Sequence, residues 1–152
     1  MVDSELRQIV EEGYVGPTLR CAHDPYAGAA MPDAQGGLQL IMIEMLAYSR
    51  PGVIEVLPAL PPSLGKGAIG GMLLRTFARL DKLAWDLDAG TVDLTVTSAR
   101  KQDVTLLARQ GIEAVSASAG VLAAKPQPGQ AACDLHLPQG KPVEIHFEAR
   151  AA

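Results

Sequence analysis

From Thr91 onward the chain alternates with a period of two. Val92, Leu94 and Val96 fall on one side and Asp93, Thr95 and Thr97 on the other, the pattern of a strand with one face in a core and one in water. Residues 88–90 (Asp-Ala-Gly) supply the turn before it. Val104, Leu106 and Ala108 predict the next strand and 112–119 another, while 126–129 reads as a loop. Cys133, Leu135 and Leu137, then Val143, Ile145 and Phe147, predict two closing strands around a turn at 138–141. Upstream, 65–71 has the Gly content of a turn with a short strand around Ile69, and 73–85 is apolar enough for one or two strands. Between six and eight short strands with regular turns predict a mainly β chain ending in an antiparallel β-sandwich.

Ahead of the strands the period changes. Leu38, Ile41, Met42, Met45 and Leu46 follow helical spacing, but Leu40, Ile43 and Ala47 occupy the opposite side, so a helix over 38–49 has to be covered almost all round. Residues 1–30 are polar and rich in Gly, Pro and Ala, and cannot supply that cover. A partner for the helix is therefore expected. With Gln39 and Glu44 inside it, the apolar run is well short of the ~20 residues that cross a bilayer, and no membrane partner is expected. Pro51 and Gly52 are expected to stop the helix, Val53, Ile54 and Val56 to begin β structure, and Pro58, Pro61 and Pro62 to stiffen a linker. This divides the chain into 1–50, a loop-and-helix region, 51–65, a Pro-rich linker, and 66–150, the β-sandwich. At the start, Asp3 or Ser4 can cap a short helix carrying Leu6, Ile9 and Val10, which Gly13 ends; 14–32 reads as a long irregular loop.

Composition narrows the partners. The chain has 152 residues, 48% hydrophobic and 20% charged, which describes a folded domain rather than a disordered one. A net charge of -4 without basic clusters argues against nucleic acid. Aromatic residues make up only 4%, too few for a dedicated sugar-stacking module, so the β part is expected to be structural. Cys21 and Cys133 lack metal-ligand spacing and read as free thiols. No charged n-region and apolar h-region open the sequence, so Met1 is not expected to begin a secretory signal. The phrase from Gly65 to Gly71 lacks the Lys followed by Ser or Thr that a phosphate loop needs. His136 and His146 are expected on the outer face of the last hairpin near Asp134, Glu144 and Glu148; with no third ligand fixed, they predict a solvated face and no metal site. Asp33 reads as a helix cap or as a functional loop carboxylate, and Glu44 as a buried ion-pair partner.

One stretch carries a specific resemblance. An acidic residue (Asp33), a glycine step (Gly36, Gly37), an apolar helix containing Glu44-Met45-Leu46, a short break and then Val53 to Pro61 (VIEVLPALP) resemble the end of the catalytic domain of glycoside hydrolase family 95, the inverting α-L-fucosidases and their α-L-galactoside-cleaving relatives. Gly70, Gly71, Trp85 and Gly90 continue it more weakly, and the likeness covers roughly residues 22–98. The resemblance implies that 1–50 closes an α/α toroid, that Asp33 belongs to the water-activating machinery, and that His23 contacts substrate. Where the family continues Gly-Asn-Phe-Gly, this chain has Ala34, Gln35, Gly36 and Gly37. Inverting hydrolysis needs an acid and a base about 6.5 to 9.5 Å apart on opposite faces of the bond. Only one carboxylate sits in a matching motif, and the family's general acid lies far upstream. The expectation is a C-terminal portion that is inactive alone, needs no cofactor, and relies in its full-length parent on the rest of the helical catalytic domain and a fucosylated glycan. The other reading is a self-contained β-sandwich interaction module without catalysis.

Overall fold

The computed structural model describes residues 32–124 and 128–149. The short helix expected at the start, the loop after it, Cys21 and His23 lie outside these residues. Within them the chain is mainly β, with a helix ahead of the strands.

Helix α1 (Pro32–Leu46) is followed without a loop by β1 (Ala47–Arg50). The expected helix thus ends three residues early. The reason is tertiary: its last carbonyls find partners elsewhere, Leu46 O accepting from Leu57 N–H at 2.8 Å and Met45 O from Ala59 N–H at 3.4 Å, which satisfies groups a helix end leaves open. Pro51 and Gly52 turn a hairpin between β1 and β2 (Val53–Val56) instead of stopping a helix. Proline fixes φ at the first turn position and Gly52 takes φ 76° at the second, the type II pattern. A 3-10 helix (Pro62–Leu64) leads to β3 (Lys66–Ile69), β4 (Met72–Leu74), β5 (Ala78–Asp86), β6 (Thr91–Ser98), β7 (Gln102–Ala117), β8 (Gln130–Leu137) and β9 (Pro142–Ala149).

All nine strands belong to one mixed sheet, ordered β1-β2-β7-β9-β6-β5-β3, with β4 also on β5 and β8 also on β7. The sheet curls because β7 changes partners along its length. Its first half pairs with β2 and β8, its second half with β9. The register with β8 breaks between Leu107 and Ile112, where Gly111 adopts φ 82°, a conformation open to glycine at little cost. The two strands expected at 104–108 and 112–119 are therefore one bent strand joining two layers, as in sandwiches whose strands switch sheets at a bulge. Its pairing with β2 is parallel, a departure from the expected antiparallel order. A long excursion separates β2 from β7, so no hairpin dictates their direction.

The core lies between the layers. Ile54 and Val56 from β2, Val104 and Leu106 from β7, Leu135 and Leu137 from β8, Val92, Leu94 and Val96 from β6, and Ile145 and Phe147 from β9 form one buried cluster. These are the alternating positions read from the sequence. β5 holds the phase with a bulge between Leu80 and Lys82. The extra residue, Asp81, lets Leu80, Leu83 and Trp85 all face inward. Val53–Val56, inside the stretch whose prolines read as a linker, is a strand of this sheet, and Leu57 is 1% exposed.

Candidate functional site

Asp33 lies in the first turn of α1, because the helix starts at Pro32, two residues earlier than a cap reading of Asp33 requires. Proline suits that first position, where its missing N–H would be unpaired anyway. Glu44, further along α1, forms an ion pair, its Oε1 accepting from Arg75 Nη2 at 2.9 Å, but at the surface and not buried as expected, with the Glu44 side chain 35% exposed. Met45 and Ala47 are buried against the β unit, whereas Leu40, Ile41, Met42 and Ile43 are 44–54% exposed. Four consecutive apolar residues point around more than one turn of helix, so α1 stands bare on most of its circumference.

The two histidines take the outer face, as the alternation predicts, but with other partners. His146 on β9 is opposite Asp93 on β6, and its Nδ1 meets Asp93 Oδ1 at 2.8 Å; His136 on β8 is opposite Asp103 on β7, Nδ1 to Oδ1 at 2.6 Å. Neighbours in sequence supplied the expected acids; neighbours in register supply the real ones. The same rule pairs Thr105 with Asp134 at 2.8 Å and Lys66 with Asp86 at 2.7 Å, while Arg109 reaches Glu55 at 2.9 Å across a diagonal, since Glu55 stands opposite Leu107. Each is a cross-strand pair on a solvated face, where such contacts contribute a few tenths to about 1 kcal/mol.

Register also sets Ser116 of β7 beside His146, so Asp93, His146 and Ser116 form a row across three strands. This row, with Lys82, Thr95 and Glu144, lines an open hollow of about 520 Å³. Asp93 holds one imidazole nitrogen of His146 and so orients the ring. Acyl transfer would further need a serine bonded to the other nitrogen and N–H donors for an oxyanion. No hydrogen bond joins Ser116 to His146 among the described residues, and the row is one of cross-strand neighbours in register. The row is a polar face with an oriented histidine. A second hollow, about 750 Å³, runs past Asp103, Val121, His136 and Pro138. Among the described residues no three His, Cys, Asp or Glu side chains come together as a metal site. Cys133 is buried, and loss of water pushes its thiol up to about 11, with the Asp134 charge adding to this; it is no nucleophile at neutral pH.

A third feature was not legible in the sequence. The β4–β5 connection, Arg75-Thr76-Phe77, is a three-residue hairpin turn whose last member takes φ 58°. That place usually falls to glycine. Here it holds a Phe that is 62% exposed, next to Leu73 at 84%. Comparison with known proteins yields no matching family model and no matching curated protein.

Proposed function

We propose that the chain is the C-terminal portion of an inverting α-L-fucosidase-like glycoside hydrolase, which in its full-length parent cleaves terminal α-L-fucosyl or α-L-galactosyl linkages. The observation that carries this reading is the bare apolar circumference of α1, Leu40 to Ile43, directly ahead of the curled β sheet. Covering those side chains is worth on the order of 1 kcal/mol each. A last helix of an α/α toroid is covered in that way by its neighbouring helices. The motif from Asp33 through Pro61 supports the same reading. In it, Asp33 orients the attacking water, His23 contacts the sugar, and the β unit braces the helix bearing Asp33. The general acid comes from the upstream body, so this portion alone does not turn over.

The test is the coding DNA upstream of Met1, followed by hydrolysis of an aryl α-L-fucoside. An open frame of several hundred codons, and activity in the full product that Asp33→Ala abolishes, is the expected result. A stop codon and ribosome-binding site just before Met1 would sink it, and would leave the self-contained interaction module as the reading to pursue. An active parent indifferent to Asp33→Ala would remove Asp33 from the machinery.

A further inference from the structure

The larger hollow, about 750 Å³, opens where three connections meet. The β6–β7 connection brings Lys101 to it, the segment after β7 brings Val121, and the β8–β9 turn brings Pro138 and Gln139. Backbone bonds tie these connections together. Gly140 N–H donates to Ser98 O at 2.8 Å, joining the turn to the β6–β7 connection, and His136 N–H donates to Val121 O at 2.6 Å, joining the segment to β8. Ser98 is buried; its hydroxyl donates to Arg100 O at 2.6 Å and accepts from Gln102 Nε2 at 2.8 Å. The walls are therefore set by the fold before any ligand arrives, which lowers the ordering cost of binding. The volume lies within the range of about 300 to 1,000 Å³ that small ligands occupy.

Its floor is apolar and its charges are two, of opposite sign. Val121 and Leu137 are 3% and 1% exposed, with Pro138 partly buried beside them. Lys101 and Asp103 stand two residues apart in extended chain, about 7 Å between Cα atoms, and both line the hollow. They do not pair with each other. Asp103 Oδ1 meets His136 Nδ1 at 2.6 Å, and its Oδ2 has no partner among the described residues. Lys101 is exposed and also has none. Arg100 beside it lies instead over the Phe77 ring, 4.4 Å from the centroid. A smaller hollow of about 260 Å³ is lined by Asp103 and His136 as well, so that pair is a wall between two recesses. The hollow at His146 lacks this arrangement, since it sets Asp93 and Glu144 against Lys82 among hydroxyls. We infer that the larger hollow binds a small zwitterion with an apolar side chain, of the class of the apolar α-amino acids. The ligand's carboxylate meets Lys101 Nζ, its ammonium meets Asp103 Oδ2, and its side chain covers Val121, Leu137 and Pro138. Each charge of the hollow then gains a charge-assisted hydrogen bond, and the floor loses contact with water. The site belongs to the β part and does not depend on what precedes α1.

Amide chemical-shift titration of the isotope-labelled chain with L-leucine tests this. The expected result is a saturable shift confined to the amides around Lys101, Val121, His136 and Gln139. L-Leucinamide, which lacks the carboxylate, and N-acetyl-L-leucine, which lacks the ammonium, should each bind about tenfold more weakly. Glycine, with no side chain to cover the floor, should be weaker by a similar factor. Lys101→Gln should bring leucine down to the affinity of leucinamide and leave leucinamide where it was; Asp103→Asn should do the same with respect to N-acetylleucine. Both residues are exposed, so the variants should keep the dispersed spectrum of the folded chain. Shifts that do not saturate, or that fall elsewhere on the sheet, would overturn the inference. So would equal binding of leucine, leucinamide and N-acetylleucine, which would make the hollow an apolar recess without charge recognition, and so would variants that bind leucine unchanged.

Discussion

Phe77 and Gly70 show how single residues decide this fold in opposite ways. At Phe77 the left-handed backbone costs about 1 to 2 kcal/mol for a residue with a Cβ, and the exposed stacking of Arg100 on its ring returns about 0.5 to 1. The two nearly offset. Phe77→Gly should therefore shift the urea midpoint of the chain alone by the equivalent of about 1 kcal/mol or less, and a large loss would mean that the ring packs the core. At Gly70 nothing is offset. A Cβ there would sit 2.3 Å from the Asp81 carbonyl oxygen, at the β5 bulge. Backbone cannot swing aside as a side-chain tip can, so Gly70→Ala should cost about 1 to 3 kcal/mol in denaturant unfolding. An unchanged midpoint would show that β3 and β5 are not this close. A Cβ on Gly67 would meet a side chain instead, the Trp85 ring at 2.5 Å, whose indole Nε1–H donates to Leu64 O at 2.8 Å.

Elements were legible where one face of the chain does one thing. β6, β8 and β9 alternate without interruption, and their buried sets are those the period-two pattern names. Legibility failed where partners distant in sequence intervene. The end of α1 depends on Leu57 and Ala59, the bend of β7 on a change of neighbours, and the β2–β7 pairing on a long excursion. The candidate site divides along the same line. The apolar run of α1 was readable, and so was its lack of cover, but the partners of His136 and His146 depend on register, which no local pattern carries. Phe77 gave no signal, since composition favours glycine at its place. The bare face of α1 has a measurable consequence at this scale. Replacing Ile41 and Met42 by Gln should leave unfolding of the β unit within about 0.5 kcal/mol, because both are exposed, while reducing binding of an apolar dye and concentration-dependent association. A collapse of the β unit would mean that α1 is integral to its core.

For the molecule as a whole, charge pairs and one thiol bound the pH range of stability. Thr97 Oγ1–H donates to Asp81 Oδ2 at 2.6 Å, and this bond, with Arg79 beside it, holds the carboxyl below its ordinary value. Asp86 is lowered by the Lys66 ammonium and by the Ala89 N–H, and Lys66 is raised in return. A carboxyl lowered on folding stabilises fully above its unfolded value, about 3.9, and that contribution is lost as pH falls through the folded value. A raised lysine contributes below its unfolded value, about 10.4, and loses it as pH climbs through the folded one. Cys133 acts on the alkaline side as well: raised from 9.0 to about 11, it favours the fold below 9 and ceases to between 9 and about 11, where the unfolded thiol ionises first. Stability should therefore be flat from about pH 5 to 8 and fall at both ends. Thr97→Val should reduce the acid slope by releasing Asp81, and Cys133→Ala should reduce the alkaline slope even as it lowers the plateau by emptying core volume. Urea midpoints at intervals of pH would read both changes. An alkaline limb of unchanged slope in Cys133→Ala would place the titrating group elsewhere. Slow alkylation of Cys133 at pH 8 in the folded chain, read by peptide mass and fast in urea, checks the same burial by an independent route.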